Sequence, residues 1–258
     1  MSEIENGRRR KKPAKMAGAT PQQQSRRGPA RVIDTGFPLD RRNQILQLAA
    51  KRFAEFGYEA TTVREIADDA KILSGSIYHH FNTKDDILDE IIRKPAILMG
   101  DRIRHLAACE SDPETKLVAL IILQLDALTK NHDAYSILYN ERRFLRRHAL
   151  FNYVPEYKSY MTKSWGEVLR SGIELGYFRE SIDKFLIIST SHRIINTSSD
   201  WFMRDGNFNM SSIRKYSLDE VIEFNIDLIL RSVRHDSKIA EPIPRAAAES
   251  LVRSVPST

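Results

Sequence analysis

Between Ser74 and His80 the chain carries Ser74, Gly75, Ser76, Tyr78, His79 and His80, a run of small, hydroxyl-bearing and aromatic polar residues, with Thr62 and Arg64 before it and Lys84 after it. These types suit contact with a polyanion. Small residues let the N-terminal end of a helix approach a phosphate backbone, while hydroxyl, imidazole and guanidinium groups donate to phosphate oxygens or base edges. Arg64, Ser74, Gly75 and Ser76 are expected at base edges in a major groove, and Thr62, Tyr78, His79, His80 and Lys84 on phosphates. A second concentration of chemistry lies at Arg142, Arg143, Arg146 and Arg147, interleaved with Tyr135, Leu138, Tyr139 and Phe144. It is either a solvated face or an anion-binding wall, since guanidinium forks fit phosphate and carboxylate oxygens bidentately.

Trp165 recurs with Met161, Val168 and Leu169 at helical spacing, as core packing or as the lining of a ligand cavity. His192, Arg193, Asn196 and Trp201 add polar groups to an otherwise apolar helix; buried polar groups need partners, so some of them face either the core's own polar atoms or a ligand. Catalytic and metal sites find little support. His79 and His80 are adjacent, about 100° apart on a helix, and cannot form the i, i+4 pair of a zinc site. Cys109 is the only cysteine, which excludes an internal disulfide and a cysteine-based zinc site and fits a reducing cytoplasm. No cofactor is expected. An all-α enzyme using a C-terminal cavity is the alternative, and it lacks a nucleophile, base and orienter at telling spacing.

The elements that must position these residues are all helical. Asp40 to Phe56 places Ile45, Leu48, Ala49, Phe53 and Phe56 on one side, and Gly57 ends it as a left-handed cap. Thr62 with Glu65 forms a capping box for a short helix whose Val63, Ile66, Ala67 and Ala70 face inward. After a tight turn a second short helix starts near Leu73 or Ser74 and buries Ile77 and Phe81, so the pair forms a helix-turn-helix. Thr83 caps the next helix, in which Pro95 predicts a kink or break between two domains. Further helices are expected at about 113–131, 133–148, 154–176, 182–203 and 218–233, with no strand signature and no Gly-rich phosphate loop.

From about Arg42 to Leu88, through the runs Phe53-x-x-x-Gly57-Tyr58-x-x-Thr61-Thr62-Val63-Arg64-x-Ile66-Ala67 and Ser76-Ile77-Tyr78-His79-His80-Phe81, the chain resembles the DNA-binding domain of the TetR family of transcriptional regulators. The resemblance implies an all-α fold with an N-terminal three-helix DNA-binding domain and a larger helical ligand-binding and dimerisation domain. It implies a homodimer on a palindromic operator, released by a small-molecule effector. Two positions depart from the family pattern: Lys71 stands where the turn commonly has Gly, and Leu73 where a Ser commonly caps the reading helix. Trp165 and the run Gly172 to Phe178 further resemble a subgroup that senses acyl-CoA thioesters, including actinobacterial repressors of steroid-ring breakdown, and Lys163 is the basic residue near the tryptophan. The effector then places its acyl group beside Trp165 and its phosphates near the arginines or Lys163.

The formal charge of +6 is concentrated at the start, where nine of the 40 Lys and Arg residues fall within the first 31 positions against Glu3 and Glu5. Residues 1–38 are therefore expected as a disordered basic arm, either a phosphate contact or a solvated tail, and the near-neutral remainder argues against an architectural protein bound by charge alone. The domains expected after it are 39–92 for DNA, 93–234 for ligand and dimer contacts, and 235–258 as a loose tail rich in Pro. Leu218, Val221, Ile222, Ile226, Leu228 and Ile229, with Phe185 and Ile188, are expected to supply the dimer face. The longest apolar run, Leu117 to Leu123, falls far short of the roughly 20 residues a spanning helix needs, so no membrane is expected as a partner.

Overall fold

A computed structural model describes residues 38–203 and 216–256, with no side-chain description for 38–40 and 199–203. Residues 1–37 of the basic arm and the side chain of Trp201 lie outside the described residues. Among the described residues eleven α-helices follow one another: α1 (Pro38–Phe56), α2 (Val63–Asp69), α3 (Ser74–Ile77), α4 (Lys84–Ala108), α5 (Pro113–Lys130), α6 (His132–Asn140), α7 (Arg142–Leu145), α8 (Tyr153–Glu174), α9 (Lys184–Met203), α10 (Leu218–Val233) and α11 (Arg245–Ser254). No strand forms among the described residues, which bears out the all-α expectation.

Ile45, Ala49 and Phe53 of α1 meet Ile66, Ala67 and Ala70 of α2, Ile77, Phe81, and Ile87 and Leu88 of α4, all buried. This is the apolar spacing read from the sequence. Phe56 differs: it is exposed, its ring beneath the Arg52 guanidinium at 5.6 Å. Gly57 has φ +88°, the left-handed conformation that stops α1. Helix α4 runs unbroken through Pro95, so the expected break is absent. The Tyr135 hydroxyl donates to the Pro95 carbonyl at 2.9 Å, a tie from α6 at the point where proline removes a backbone donor.

In the larger domain α5 is buried on nearly every side by α4, α8, α9, α10 and α11. That is why its run Leu117 to Leu123 is apolar without periodicity. Gly172 of α8 lies against Phe178, whose ring carbons are only 2.0 and 2.2 Å from where a Cβ would stand. The chain here turns back to bury Phe178, and backbone bonds from Arg179 N to Val233 O (2.9 Å) and His235 N to Tyr177 O (2.8 Å) pin the two exits together.

Three expectations are corrected. The helix expected over 133–148 is two helices parted at Glu141. The tail 235–258 contains α11, which packs on α5 through Ala248 and is fastened by Arg245 to Glu249, Glu223 and Asp219; three alanines and a salt-bridging arginine outweigh the flanking prolines. The buried, doubly hydrogen-bonded pair of Arg234 with Glu114 closes the base of this segment. On α10 the residues Val221, Ile222, Ile226 and Ile229 are buried within the chain, as is Ile188 on α9. Of the expected face Leu228 on α10 and Phe185 on α9 are exposed, and Phe224 and Leu186 add to them.

Candidate nucleic-acid interface and effector cavity

The capping box at the start of α2 is formed in full: Thr62 Oγ1 accepts from Glu65 N, and Glu65 Oε2 accepts from Thr62 N at 2.8 Å. The turn that follows passes through Lys71 at φ +55°. A left-handed residue with a Cβ costs about 1 kcal/mol or slightly more, so Lys71 holds strain that a glycine would relieve. Leu73 occupies the N-cap of α3 in extended conformation, exposed, and supplies no side-chain oxygen, so Ser74 is the first helical residue.

Around this frame Thr62, Arg64, Gly75, Tyr78 and His79 are exposed, and Ser74, Ser76 and His80 are half-buried, while Ile66, Ala67 and Ile77 face the core. Lys84 behaves differently from the phosphate contact expected of it. Its ammonium donates to the carbonyls of Tyr58 and Thr61, each at 2.8 Å, and sits over the Tyr58 ring at 4.1 Å. It splices α4 to the corner between α1 and α2, and burial lowers its pKa.

A cavity of about 220 Å³ opens in the larger domain. Its walls are Met99 of α4, Gln124 and Leu128 of α5, Tyr135, Leu138 and Tyr139 of α6, Tyr157, Met161 and Thr162 of α8, and His192 and Asn196 of α9; Arg142 and Lys158 complete it. The lining is apolar and aromatic with a few polar groups. Burial pushes the Tyr135 and Tyr157 phenols up and holds the His192 imidazole down at about 4, so all three are neutral at pH 7. Among the described residues Gln124 Nε2 and His192 Nε2 have no hydrogen-bond partner, nor has Trp165 Nε1, whose ring meets His192 edge-on at 5.0 Å between centroids. Buried donors without partners cost about 1–3 kcal/mol each, and a guest bearing acceptors would recover that.

Only Arg142 of the arginine cluster reaches the cavity; Arg143, Arg146 and Arg147 surround a separate surface depression of about 400 Å³. Lys163 is exposed and does not line the cavity, because it lies off the face of α8 that carries Met161 and Trp165. Lys158 takes its place. Burial, then the charges of Arg142 and Arg146, lowers the Lys158 pKa, and no carboxylate pairs with it among the described residues. Trp165 is fully buried and touches the cavity through His192; the Asn196 amide lines it and donates to His192 O at 2.7 Å. Gln124, Tyr157 and Lys158 were missed from the sequence, although Lys158, Met161, Thr162 and Trp165 share one helical face and Gln124 is the polar residue that ends the apolar run of α5.

Cavity and reading head meet at one short segment. Leu138, Tyr139 and Arg142 face the cavity, while Glu141 Oε1 accepts from Tyr58 N at 2.9 Å and the Phe144 ring lies 4.7 Å from that of Tyr58. Tyr58 in turn packs on Phe53 at 5.1 Å and donates to Asp85, so it anchors the corner that leads into α2.

A turn-linked pair of short helices with an exposed polar face, tied to a helical domain that holds its own cavity, defines a ligand-responsive DNA-binding transcriptional regulator, not an enzyme. Residues 45–91 match the family model of bacterial regulatory proteins of the tetR family, and residues 110–233 match the tetracyclin repressor-like C-terminal domain. The chain belongs to the TetR family. It is 33% identical over 195 residues to the HTH-type transcriptional repressor KstR2 of Rhodococcus jostii (strain RHA1), covering 76% of this chain and 96% of that protein. The ketosteroid transcriptional regulator KstR2 of Mycobacterium tuberculosis superposes with a TM-score of 0.67 at 31% identity, over 76% of this chain and 96% of that one. The fatty acid degradation regulator FadR of Bacillus halodurans does so with a TM-score of 0.52 at 25% identity, over 76% and 97%. Among the described residues no helix is long and apolar enough to cross a membrane, and no group of His, Cys, Asp and Glu is placed to hold a metal.

Proposed function

We propose that this chain acts as a homodimeric repressor in the cytoplasm, bound to a two-fold symmetric operator and released by an acyl-CoA thioester. Phe224 and Leu228 on α10 with Phe185 and Leu186 on α9 supply the dimer face, as the exposed apolar residues on two adjacent helices. Arg64, Ser74, Gly75 and Ser76 read bases; Thr62, Tyr78, His79 and His80 hold phosphates; Lys84 fixes the corner that orients them. The observation that carries the effector reading is the cavity's polarity. A neutral interior with unpartnered Gln124 and His192 nitrogens opens beside Arg142 and Lys158, which no carboxylate offsets among the described residues, and the outer arginines continue that charge. An apolar acyl body with a carbonyl or other acceptor fits the inside, and phosphates fit the outside. The names of the relatives, a ketosteroid regulator and a fatty acid degradation regulator, agree with an apolar carbon skeleton. Segment 138–144 carries the motion: a ligand that draws Arg142 moves Glu141 and Phe144, and with them Tyr58.

The test is to titrate a panel of acyl-CoAs, the matching free acids and coenzyme A against operator-bound protein. Release by thioesters alone is expected. Equal release by free acids would remove the phosphate contacts from this reading, and no release by any of them would remove the ligand class.

A further inference from the structure

Lys158 stands on α8 seven residues before Trp165, on the same helical face as Met161 and Thr162. At about 1.5 Å of rise per residue that is about 10 Å along the helix. An acyl group whose end rests against His192, at the level of the Trp165 ring behind it, and which runs out along α8, brings its thioester carbonyl level with Lys158 after on the order of eight bonds, at roughly 1.2 Å of advance per extended bond. The rest of the coenzyme then passes Arg142 toward the depression formed by Arg143, Arg146 and Arg147. Lys158 therefore lies at the reacting group, while the cations beyond it take the phosphates.

We propose that Lys158 is an acylation site for the effector it helps to bind. This rests on the acyl-CoA reading above. The neutral amine attacks the thioester carbonyl carbon, the new C–N bond forms as the C–S bond breaks, and coenzyme A leaves as the free thiol, carrying the proton that the amine loses. No oxidant or further reactant is needed. Two features of the site favour the step. The ammonium makes no ion pair or hydrogen bond within the described chain, and half-burial beside Arg142 and Arg146 favours its uncharged, nucleophilic form. The same arginine charge stabilises the oxyanion that develops on the carbonyl oxygen. The product is an acyl-lysine that keeps the cavity filled and removes one cation from its mouth, so the regulator stays off the operator after the free thioester has gone.

The experiment uses the full chain and octanoyl-CoA. Binding is followed by tryptophan fluorescence, covalent addition by intact and peptide mass spectrometry, and operator binding is measured before and after free ligand is removed by gel filtration. The expected result is a gain of one octanoyl group, mapped to Lys158, with equimolar free thiol and operator binding that does not return. The thioether analogue of octanoyl-CoA on the unaltered chain should give release that washes out, with no mass gain, and Lys158→Arg should show no octanoyl addition at position 158. Binding of octanoyl-CoA without a mass gain, or addition spread over exposed lysines and unchanged in Lys158→Arg, would overturn the proposal and leave the effector reading intact. No binding of octanoyl-CoA would overturn both.

Discussion

Replacing Glu141 by Ala is expected to uncouple the cavity from the reading head while leaving each able to bind. Glu141 Oε1 accepts the Tyr58 N–H at 2.9 Å in a half-buried setting, and a hydrogen bond to a charged group is worth about 1.5–3 kcal/mol. Release of operator by about 100-fold needs roughly 2.7 kcal/mol of coupling, so one bond of this size accounts for most of it. Tyr58 stays in place without it, because Phe53, Phe144 and Asp85 still hold its ring and hydroxyl. The assay is fluorescence anisotropy of labelled operator with and without saturating effector, beside calorimetric titration of effector on free protein. The Ala variant should keep its effector affinity and lose at least about tenfold of the release ratio, a loss of about 1.4 kcal/mol, and Glu141→Gln, which can still accept the bond, should fall between. An unchanged release ratio in Glu141→Ala would refute the route through Tyr58.

Lys71→Gly should stabilise the chain by about 1 kcal/mol, read as a higher urea midpoint, because glycine takes φ +55° without strain. Gly172→Ala should destabilise it by about 3 kcal/mol or more by the same assay, since the new methyl would collide with the buried Phe178 ring. His192 has a pKa of about 4 in the folded chain against about 6.5 for a solvated imidazole, so the unfolded chain binds more protons between those pH values. Stability contributed at His192 is therefore full above pH 6.5, falls as pH drops through that window by at most about 3 kcal/mol, and levels off below about 4. Unfolding at pH 7.5 and 4.5 should show a smaller loss in His192→Gln than in the unaltered chain.

The reading head was legible because its signals are local: Thr62 and Glu65 sit three residues apart and build the box, and Gly57 caps where a left-handed residue was needed. The cavity was less so, because it is lined from six helices and no spacing within one helix tells which faces will meet. Lys163 follows from the resemblance as the basic residue near Trp165, whereas Lys158, about a turn and a half of helix earlier, is the one that faces the cavity. The stripe on α10 misled in a similar way. Val221, Ile222, Ile226 and Ile229 are spaced for an apolar face, but their own chain covers it, and of the expected stripe Leu228 stays exposed, beside Phe224. Helix α11 escaped notice because prolines on both sides suggested a loose tail, while its Ala248 contact lies far away in sequence on α5.

Selection of bound duplexes from a random DNA pool, with the unaltered chain and with Arg64→Ala, tests the central claim most directly. The account predicts a two-fold symmetric consensus with half-sites about 34 Å, or a multiple of it, apart, and for Arg64→Ala a loss of roughly 1–3 kcal/mol with preference relaxed at one base pair per half-site. A pool that fails to converge, or an Arg64→Ala variant that loses affinity equally on selected and random DNA, would contradict it.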